Sequence, residues 1–500
     1  MTTQTHDTAD FFATRRAGIL LHPSSLPGQY GNGDIGHDAY RFVEFLQSCG
    51  LTVWQMLPLG PTHEDGSPYQ SLSAHAGNPL LISIDWLIDR GWLLLKNIPA
   101  ASSAAAFRRN CLYAAYDGFK QTANAEWRSR LDAFCSEQYY WLDDYALFMA
   151  LKIEHHDQAW MLWPDALKLR NQTALKIATQ RLAKDIAHIQ FEQFVFFSQW
   201  QELRDYARQR GVHMFGDMPI FVAQDSADVW AHRENFMLDA SGEPLYVAGV
   251  PPDAFSATGQ RWGNPLYHWD AMQDDHFKWW QTRFKTQHAL FDLIRVDHFR
   301  GFDACWQIPA TEPTAMHGEW VKVPGRKLLA QIRKKFPALL LVAEDLGVIT
   351  AEVNALRDDF GLPGMKILQF AFGDDAANPY LPHNHCELCL VYTGTHDNDT
   401  TLGWLRAIPE TTRQHLLAYL GCGEIDDIKL LEKMRDLTLS SVARLAVLPM
   451  QDILQLDTQH RMNKPGTTVD NWRWRFDWPQ LTALMRDQLQ YKIKLFGRSR

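Results

Sequence analysis

An acidic residue at the end of an apolar stretch first suggests chemistry in this sequence. Residues 294–301 read IRVDHFRG and place Asp297 between Arg295 and Arg300, after the apolar approach ALFDLI. A buried carboxylate is costly unless it is paired or takes part in a reaction. For this stretch alone, an ion pair that holds one strand to its neighbour is a sufficient explanation.

Three further acids occupy the same kind of position. Asp217 follows the apolar start of VHMFGDMPIF, Glu344 follows LLLVA, and Asp397 follows LVYTGTH. If these stretches are the third, fifth and seventh strands of a closed barrel, and Asp297 follows the fourth, all four acids lie at one rim. One acidic pocket then explains them better than four independent ion pairs.

A pair of carboxyl groups on either side of a scissile bond is what cleavage of a glycosidic bond requires. One attacks the anomeric carbon or stabilises the oxocarbenium-like transition state, and the protonated partner gives its proton to the leaving oxygen. Arg295 favours the ionised form of Asp297, which suits a nucleophile. Glu344 follows a fully apolar run, so a raised pKa would suit it to acid/base work, with Asp345 as the neighbour that points outward. Asp397 offers a third acid for sugar hydroxyls.

Eight short apolar runs, separated mostly by segments with helical periodicity, would position these acids. Continuous apolar runs are typical of strands buried on both faces. Chemistry in a parallel α/β barrel gathers at the C-terminal ends of its strands. The predicted fold class is α/β, a (β/α)₈ TIM barrel, with strands in the runs 18–25, 51–60, 212–221, 293–301, 339–347, 365–370, 390–399 and 445–454.

The uneven spacing of the runs predicts two insertions in a single catalytic barrel that spans residues 1–500. The second and third runs are much further apart than a crossover requires, so a mostly helical insertion is expected at roughly 75–190. The helix before the third run is expected to end at Gly211, with basic residues in its last turn. Residues 222–290 are rich in Gly, Pro and Trp and predict a loop-rich excursion over the barrel mouth.

Composition excludes several classes of function. The formal net charge is −9 and 21% of residues are charged. No broad basic stripe is present, which argues against nucleic acid as a partner. No apolar run is long enough for a membrane helix, and the N-terminal residues do not read as a secretory signal. Seven scattered cysteines are not a disulfide framework and indicate a reducing compartment, so a cytoplasmic location is expected.

Seven extended motifs, in order along nearly the whole chain, carry a family resemblance. They are SPYQSLSAHAGNP (67–79), GDMPIFV, GVPPDAFSATGQRWGNPLY (249–267), RVDHFRG, AEDLG, GTHDN and RMNKPGTTVDNWRWR (461–475). Together they resemble the 4-α-glucanotransferase family, also called amylomaltase or disproportionating enzyme, a relative of the α-amylases. The resemblance implies transfer of an α-1,4-glucan segment to the 4-hydroxyl of another glucan or of glucose.

The resemblance also implies roles for individual residues. Asp297 would be the nucleophile of a covalent glycosyl-enzyme, Glu344 the acid/base, and Asp397 a clamp on the hydroxyls of the distorted sugar. The residues that would bind the glucan are Tyr69, Asp217, Gln260, Trp262, Arg295, His298, Asp374, His396 and Asn463. Among these, Asn463 and Asp374 are expected on the acceptor side.

The implied mechanism retains the α configuration and needs neither a metal nor a cofactor. Two successive inversions place the two carboxyl groups about 5 to 5.5 Å apart. A partly covered aromatic groove would hold the acceptor in line and exclude water, which makes the 249–267 loop relevant to transfer. The alternatives are an α-1,4-glucan hydrolase on the same scaffold and a non-catalytic glucan-binding protein.

Three other stretches of the sequence resemble functional motifs but support a function only weakly. GNGDIG at 31–36 fits a dinucleotide fingerprint formally, but a Pro-rich turn separates it from the preceding apolar run. HNHCELC at 383–389 places two His and two Cys together, yet a structural zinc site usually draws ligands from two separated pairs. Trp472 and Trp474 lie on one side of an extended segment and suit either core packing or glucan contact.

Overall fold

Eight parallel strands form a barrel in the computed structural model, which describes residues 11–98, 101–252 and 256–499. These strands are β1 (Arg16–Leu20), β2 (Val53–Gln55), β3 (His213–Met218), β6 (Leu293–Val296), β9 (Leu340–Ala343), β10 (Gly364–Ile367), β11 (Cys389–Tyr392) and β12 (Leu445–Pro449). Around the barrel their order is β10-β11-β12-β1-β2-β3-β6-β9. Where β9 meets β10, the Ala343 N–H donates to the Pro363 carbonyl at 2.9 Å. The predicted (β/α)₈ fold class is confirmed.

Helices connect and surround the strands. They are α1 (His37–Ser48), α2 (Ile84–Asp89), α3 (Ala104–Thr122), α4 (Ala125–Glu154), α5 (Asp165–Lys168), α6 (Gln172–Arg181), α7 (Ala183–Gln209), α8 (Ala227–Ala231), α9 (Trp269–Asp274), α10 (Lys278–Leu290), α11 (Gly325–Lys335), α12 (Ala351–Asp359), α13 (Thr401–Ala407), α14 (Glu410–Leu420), α15 (Asp427–Ser440), α16 (Met450–Ile453) and α17 (Ala483–Leu495). No helix within the described ranges is long and apolar enough to cross a bilayer.

The side chains along each strand point alternately into and out of the barrel, which divides the hydrophobic core into two layers. Every second residue points into the barrel, where Phe215, Leu293 and Val342 belong to one buried cluster. The residues between them, such as Ile294 and Leu341, pack outward against the helices in a larger cluster. Because both faces are buried, the strands read as continuous apolar runs in the sequence.

In the described part of the chain, six helices, α2 to α7, lie between β2 and β3. The long helices α4 and α7 pack along each other, and α7 then returns the chain to the barrel. It carries Arg208 in its last turn. Gly211 follows it with φ +70°, a left-handed conformation that favours glycine.

The segment after β3 contains a sheet where the sequence indicated loops. Strands β4 (Tyr246–Val250), β5 (Gln260–Pro265), β7 (Ala304–Pro309) and β8 (Glu319–Lys322) form an antiparallel sheet in the order β5-β4-β7-β8. Its strands come from both sides of β6, and glycines interrupt the period-2 pattern of β4 and β5. The local signal is therefore weak, since long-range pairing creates these strands.

Four parts of the sequence interpretation lie outside the described residues. They are the start of the N-terminal segment, 1–10, positions 99–100 of the insertion predicted at 75–190, positions 253–255 of the 249–267 loop, and residue 500.

Candidate active site

Strand geometry brings three predicted site residues to the rim. Asp217 of β3 pairs in register with Arg295 of β6. Asp297 is two residues beyond Arg295, so the same parity that points Phe215 and Leu293 into the barrel also points these three side chains inward. The inner face thus changes from apolar to charged at the C-terminal ends of the strands.

One guanidinium joins two carboxylates at the centre of this rim. Arg295 donates through Nη1 to both Asp217 oxygens, at 2.8 and 2.7 Å. Its Nη2 lies 2.9 Å from Asp297 Oδ1. Burial lowers the pKa of Arg295, but Asp217 and Asp297 outweigh that effect and raise it well above its usual range. The guanidinium therefore stays charged and fixes both acids.

Glu344 lies beside Asp297 on the adjacent strand. Val296 and Ala343 pair in register, so the next residues, Asp297 and Glu344, emerge as neighbours from strands about 4.8 Å apart. Glu344 accepts hydrogen bonds from the His298 N–H at 2.7 Å and from the Leu346 N–H at 3.1 Å. The left-handed backbone of His298, φ +50°, turns its N–H toward the carboxylate.

The neighbouring acid Asp345 points away from this site. Its carboxylate accepts the Met365 N–H at 2.7 Å and forms an ion pair with Arg357. Two consecutive strand-end residues point to opposite faces, so Glu344 is the one that reaches the rim.

Burial dominates the protonation of the two central acids. It raises the pKa of Asp297 to about 8; Arg295 lowers that pKa, while Asp217, Glu344 and Asp397 raise it. Burial likewise raises the pKa of Glu344, against Arg295 and the two backbone N–H donors. Arg295 alone would favour ionised Asp297, as expected, but burial and three nearby acids outweigh one cation.

The two acids titrate as a pair because they share one buried site. Arg295 contacts Asp297 directly at 2.9 Å, whereas the hydrogen bonds to Glu344 come from uncharged backbone groups. When the pair holds one proton, the ion pair therefore favours ionised Asp297 and a protonated Glu344. This is the division that a nucleophile and a general acid require.

Tyr69 links the acids to a second cluster. Its hydroxyl donates to Asp217 Oδ2 at 2.7 Å and lies 2.8 Å from His396 Nε2. Its ring stacks on His396 with centroids 5.2 Å apart. His396 Nε2 lies 3.3 Å from Asp397 Oδ2, and burial lowers the pKa of this histidine. A continuous polar chain therefore runs from β3 to the loop after β11.

Asp397 is the most open acid of the four. Its side chain is 47% exposed, compared with 27% for Asp297 and 1% for Asp217. Asn463 donates to Asp397 Oδ1 at 2.7 Å. Asp397 can thus accept hydrogen bonds from a bound hydroxyl while Asn463 holds it in place.

Two residues on the same C-terminal loop support the site: Arg461, for which the sequence predicted no role, and Trp472, for which it left core packing and glucan contact open. Arg461 donates to the backbone carbonyls of Asp397, at 3.0 Å, and of Asn463, at 3.1 Å. The Trp472 ring lies 5.8 Å from that of Tyr69 and 6.1 Å from that of His396. Arg461 stands two positions before Asn463, which is the one signal that could have identified it.

Aromatic and amide side chains border the rim on the side of β5. The Trp262 Nε1–H donates to Gln260 Oε1 at 3.1 Å, and its ring meets His298 edge-on at 4.9 Å. Burial lowers the pKa of His298 to about 4. The imidazole is therefore neutral at physiological pH.

Asp374 stands apart from the other predicted binding residues. It is exposed, and its carboxylate accepts the backbone N–H of Asp375 at 2.9 Å. The hydrogen-bonded network traced above, within the described part of the chain, does not include it.

The barrel and the paired carboxyl groups at its rim define a class, the enzymes that cleave glycosidic bonds with two carboxylic acids. The sequence profile described as 4-alpha-glucanotransferase, of glycoside hydrolase family 77, matches residues 21–482. The chain belongs to this family, and its activity is 4-α-glucanotransfer.

Individual relatives agree with this assignment. The chain is 49% identical to the 4-alpha-glucanotransferase of Thermus thermophilus, over 92% of this chain and 94% of that protein. It is 46% identical to the 4-alpha-glucanotransferase of a Synechocystis strain, over 97% and 98%. The solved amylomaltase from Streptococcus agalactiae in complex with acarbose is similar at a TM-score of 0.93 and 36% identity, over 97% of this chain and 100% of that one.

Proposed function

We propose that Asp297, Glu344 and Asp397 carry out transfer by double displacement. An Asp297 oxygen attacks the anomeric carbon while Glu344 gives its proton to the departing 4-oxygen, which leaves a covalent glycosyl-enzyme. The ionised Glu344 then takes the proton from the 4-hydroxyl of an acceptor as that oxygen displaces Asp297. Two inversions retain the α configuration, and no external oxidant, reductant or metal enters the balance.

The observation that carries this proposal is that the two neighbouring carboxyl groups have different hydrogen-bonding partners. Asp297 is paired with a buried guanidinium, whereas Glu344 is held by backbone N–H groups. Strand spacing supports a carboxyl separation in the range of about 5 to 5.5 Å that retention needs. Asp397, with His396, is proposed to hold hydroxyls of the sugar at the cleavage point, and Asn463, which donates to Asp397, is proposed to contact the acceptor side.

The proposed substrates are α-1,4-glucans and malto-oligosaccharides, with glucose among the acceptors. Pockets open on two sides of the network, one lined by His22, His396 and Arg461 and the other by Tyr69 and Asp217. They adjoin the residues that are proposed to bind the sugar at the cleavage point. The acarbose bound by the streptococcal relative supports a glucan-binding groove here.

The remaining binding roles follow from position. Tyr69 is proposed to stack on the donor sugar, and Trp262 with Gln260 to line the groove from the 249–267 loop. Asp374, exposed and outside the network, is proposed to contact only longer acceptors.

We also propose that the chain is one catalytic barrel with insertions at roughly 75–190 and 222–290. We further propose a cytoplasmic location, which the seven unpaired cysteines support.

Incubation with pure maltotriose tests transfer against hydrolysis. Free glucose, longer oligosaccharides and total reducing ends are measured together. Glucose and longer chains at constant reducing ends are expected, because each transfer breaks one glycosidic bond and forms another. Rising reducing ends would favour the hydrolase alternative.

The Glu344→Gln variant tests the assignment of the acid/base. Turnover of maltotriose is expected to be lost, while binding, followed by calorimetry, remains, since the amide keeps the shape of the side chain but has no proton to give. The exposed Glu352→Gln change on α12 is the matched control and should leave turnover unchanged. Full activity of the Glu344 variant would contradict the assignment, and binding without turnover in the unmutated protein would indicate a non-catalytic binder.

A further inference from the structure

The Cys386-x-x-Cys389 segment lies far from the rim and has no part in the mechanism. All seven cysteines are free, and Cys386 is the exposed one; Cys389, the first residue of β11, is buried. The two are separated by a bend at Glu387 and Leu388. An accessible thiol is thus followed, within a single turn, by a protected one.

Both thiol groups pack against the backbone of this one turn. Cys389 Sγ lies 3.0 Å from the Cys386 carbonyl oxygen, and Cys386 Sγ lies 3.6 Å from the Leu388 carbonyl oxygen. The neighbouring Cys389 thiol lowers the pKa of Cys386 to about 6, against burial and assisted by Lys366 and Arg357. The proximity of Cys386, together with burial, raises the pKa of Cys389. One thiol is therefore prepared to act as a thiolate and the other as its proton-bearing partner.

The turn that holds the thiols is anchored. The Cys389 N–H and the Arg444 N–H both donate to the Glu387 carbonyl, at 2.9 Å each. The Arg444 guanidinium also forms an ion pair with the Glu387 carboxylate. These contacts hold the turn in one conformation and keep the two cysteines near each other.

The nearby histidines are already committed to other partners, which leaves two thiols and too few ligands for zinc. His385 bonds through Nδ1 to Ser441 Oγ at 2.8 Å and through Nε2 to a backbone carbonyl at 2.9 Å. His383 bonds to the Tyr419 hydroxyl at 3.0 Å and to another carbonyl at 2.9 Å. In the described ranges, no group of three or more His, Cys, Asp or Glu is arranged to hold a metal ion. Structural zinc needs four ligands.

We propose that Cys386 and Cys389 are a redox-active dithiol that a small-molecule disulfide converts into an intramolecular disulfide. The Cys386 thiolate attacks one sulfur of the disulfide, forms a mixed disulfide and releases one thiolate. Cys389 gives up its proton and attacks the Cys386 sulfur, which expels the second thiolate. The protein loses two electrons and two protons, and the small disulfide is reduced to two thiols.

The modification would lie at the opposite end of the barrel from the reaction. Cys389 begins β11, whereas His396 and Asp397 follow the end of that strand. Loss of the Cys386 thiol is therefore expected to leave transfer from maltotriose unchanged. The site stands independently of the proposed catalytic roles.

Treatment of the reduced, full-length protein with oxidised glutathione tests the proposal. After free thiols are alkylated, mass spectrometry is expected to show the unmutated protein with Cys386 linked to Cys389 and no retained glutathione. The Cys389→Ala variant is expected to hold one glutathione on Cys386, and the Cys386→Ser variant to hold none at this segment. Cys135→Ser, in α4, is the matched control and should behave as the unmutated protein does.

Peptide mapping of the unmutated protein keeps the test decisive even if a variant at the buried Cys389 folds poorly. Stable glutathione on Cys386 of the unmutated protein would overturn the role of Cys389, and unreacted thiols at both positions would overturn the proposal entirely. Iodoacetamide at pH 7 provides a second measurement. Cys386 is expected to react about tenfold faster than the other cysteines, because a larger fraction of it is thiolate.

Discussion

Replacement of Arg295 by lysine tests how one guanidinium supports two carboxylates. Arg295 contacts Asp217 through one terminal nitrogen and Asp297 through the other. A lysine ammonium is a single nitrogen and cannot span both acids. We expect R295K to keep the contact to the more deeply buried Asp217 and to lose that to Asp297.

The size of the expected pKa change of Asp297 follows from the lost contact with Arg295. A charge-assisted hydrogen bond is worth roughly 1.5 to 3 kcal/mol, which corresponds to a pKa rise of roughly one to two units for Asp297. A nucleophile with a higher pKa is protonated over a wider pH range. The acidic limb of kcat/KM should therefore move up by about one to two units, with a fall of roughly 10- to 100-fold below it. The loss should diminish as the pH rises.

The assay is initial-rate transfer from maltotriose across the pH range, for the unmutated protein and for R295K. Arg498→Lys is the matched control, since Arg498 is buried and donates to the backbone carbonyls of Leu439, Arg16 and Ser441 far from the site. The Arg498→Lys change should lower the melting temperature and leave the limbs of the pH profile of kcat/KM unmoved. A uniform fall of kcat/KM for R295K at every pH, with unmoved limbs, would refute the electrostatic argument and leave Arg295 a purely positioning role.

Two further changes test other parts of the structure. Tyr69→Phe removes the hydroxyl between Asp217 and His396, and because Arg295 still holds Asp217, kcat/KM for maltotriose should fall only about tenfold; a loss of several thousandfold would mean that the hydroxyl takes part in the reaction. Burial raises the pKa of Glu192 in α7 to about 8, above the usual 4.5, so the free energy of unfolding should fall as the pH rises between these values. Glu192→Gln should abolish that fall and stabilise the protein by up to about 3 kcal/mol at pH 7 in urea unfolding; an unchanged pH slope would contradict it.

The barrel could be predicted because its signals are local. A strand buried on both faces is a continuous apolar run, and a closed parallel sheet leaves a single rim for the residues that follow such runs. The sequence alone therefore predicts that Asp297 and Glu344 lie near each other. The resemblance of the motifs to a known family then suggested a role for each, the nucleophile for Asp297 and the acid/base for Glu344.

The antiparallel sheet of β4, β5, β7 and β8 could not be predicted in the same way. Its strands flank a barrel strand in the chain and exist because they pair with one another, so no single stretch carries the signal. Arg461 was missed for a related reason. It acts on backbone carbonyls, which leave no trace in residue types.

Residue types and their spacing determined the barrel, its rim of acids and the proposed pair of reacting residues. Tertiary structure decided the protonation balance of that pair, the bridging place of Tyr69 and the separation of Asp374 from the network. The physical reason is that a pKa or a hydrogen bond depends on every group that surrounds an atom. Arg295 stands two positions before Asp297 in the sequence, but the burial that raises the pKa of Asp297 comes from the whole fold.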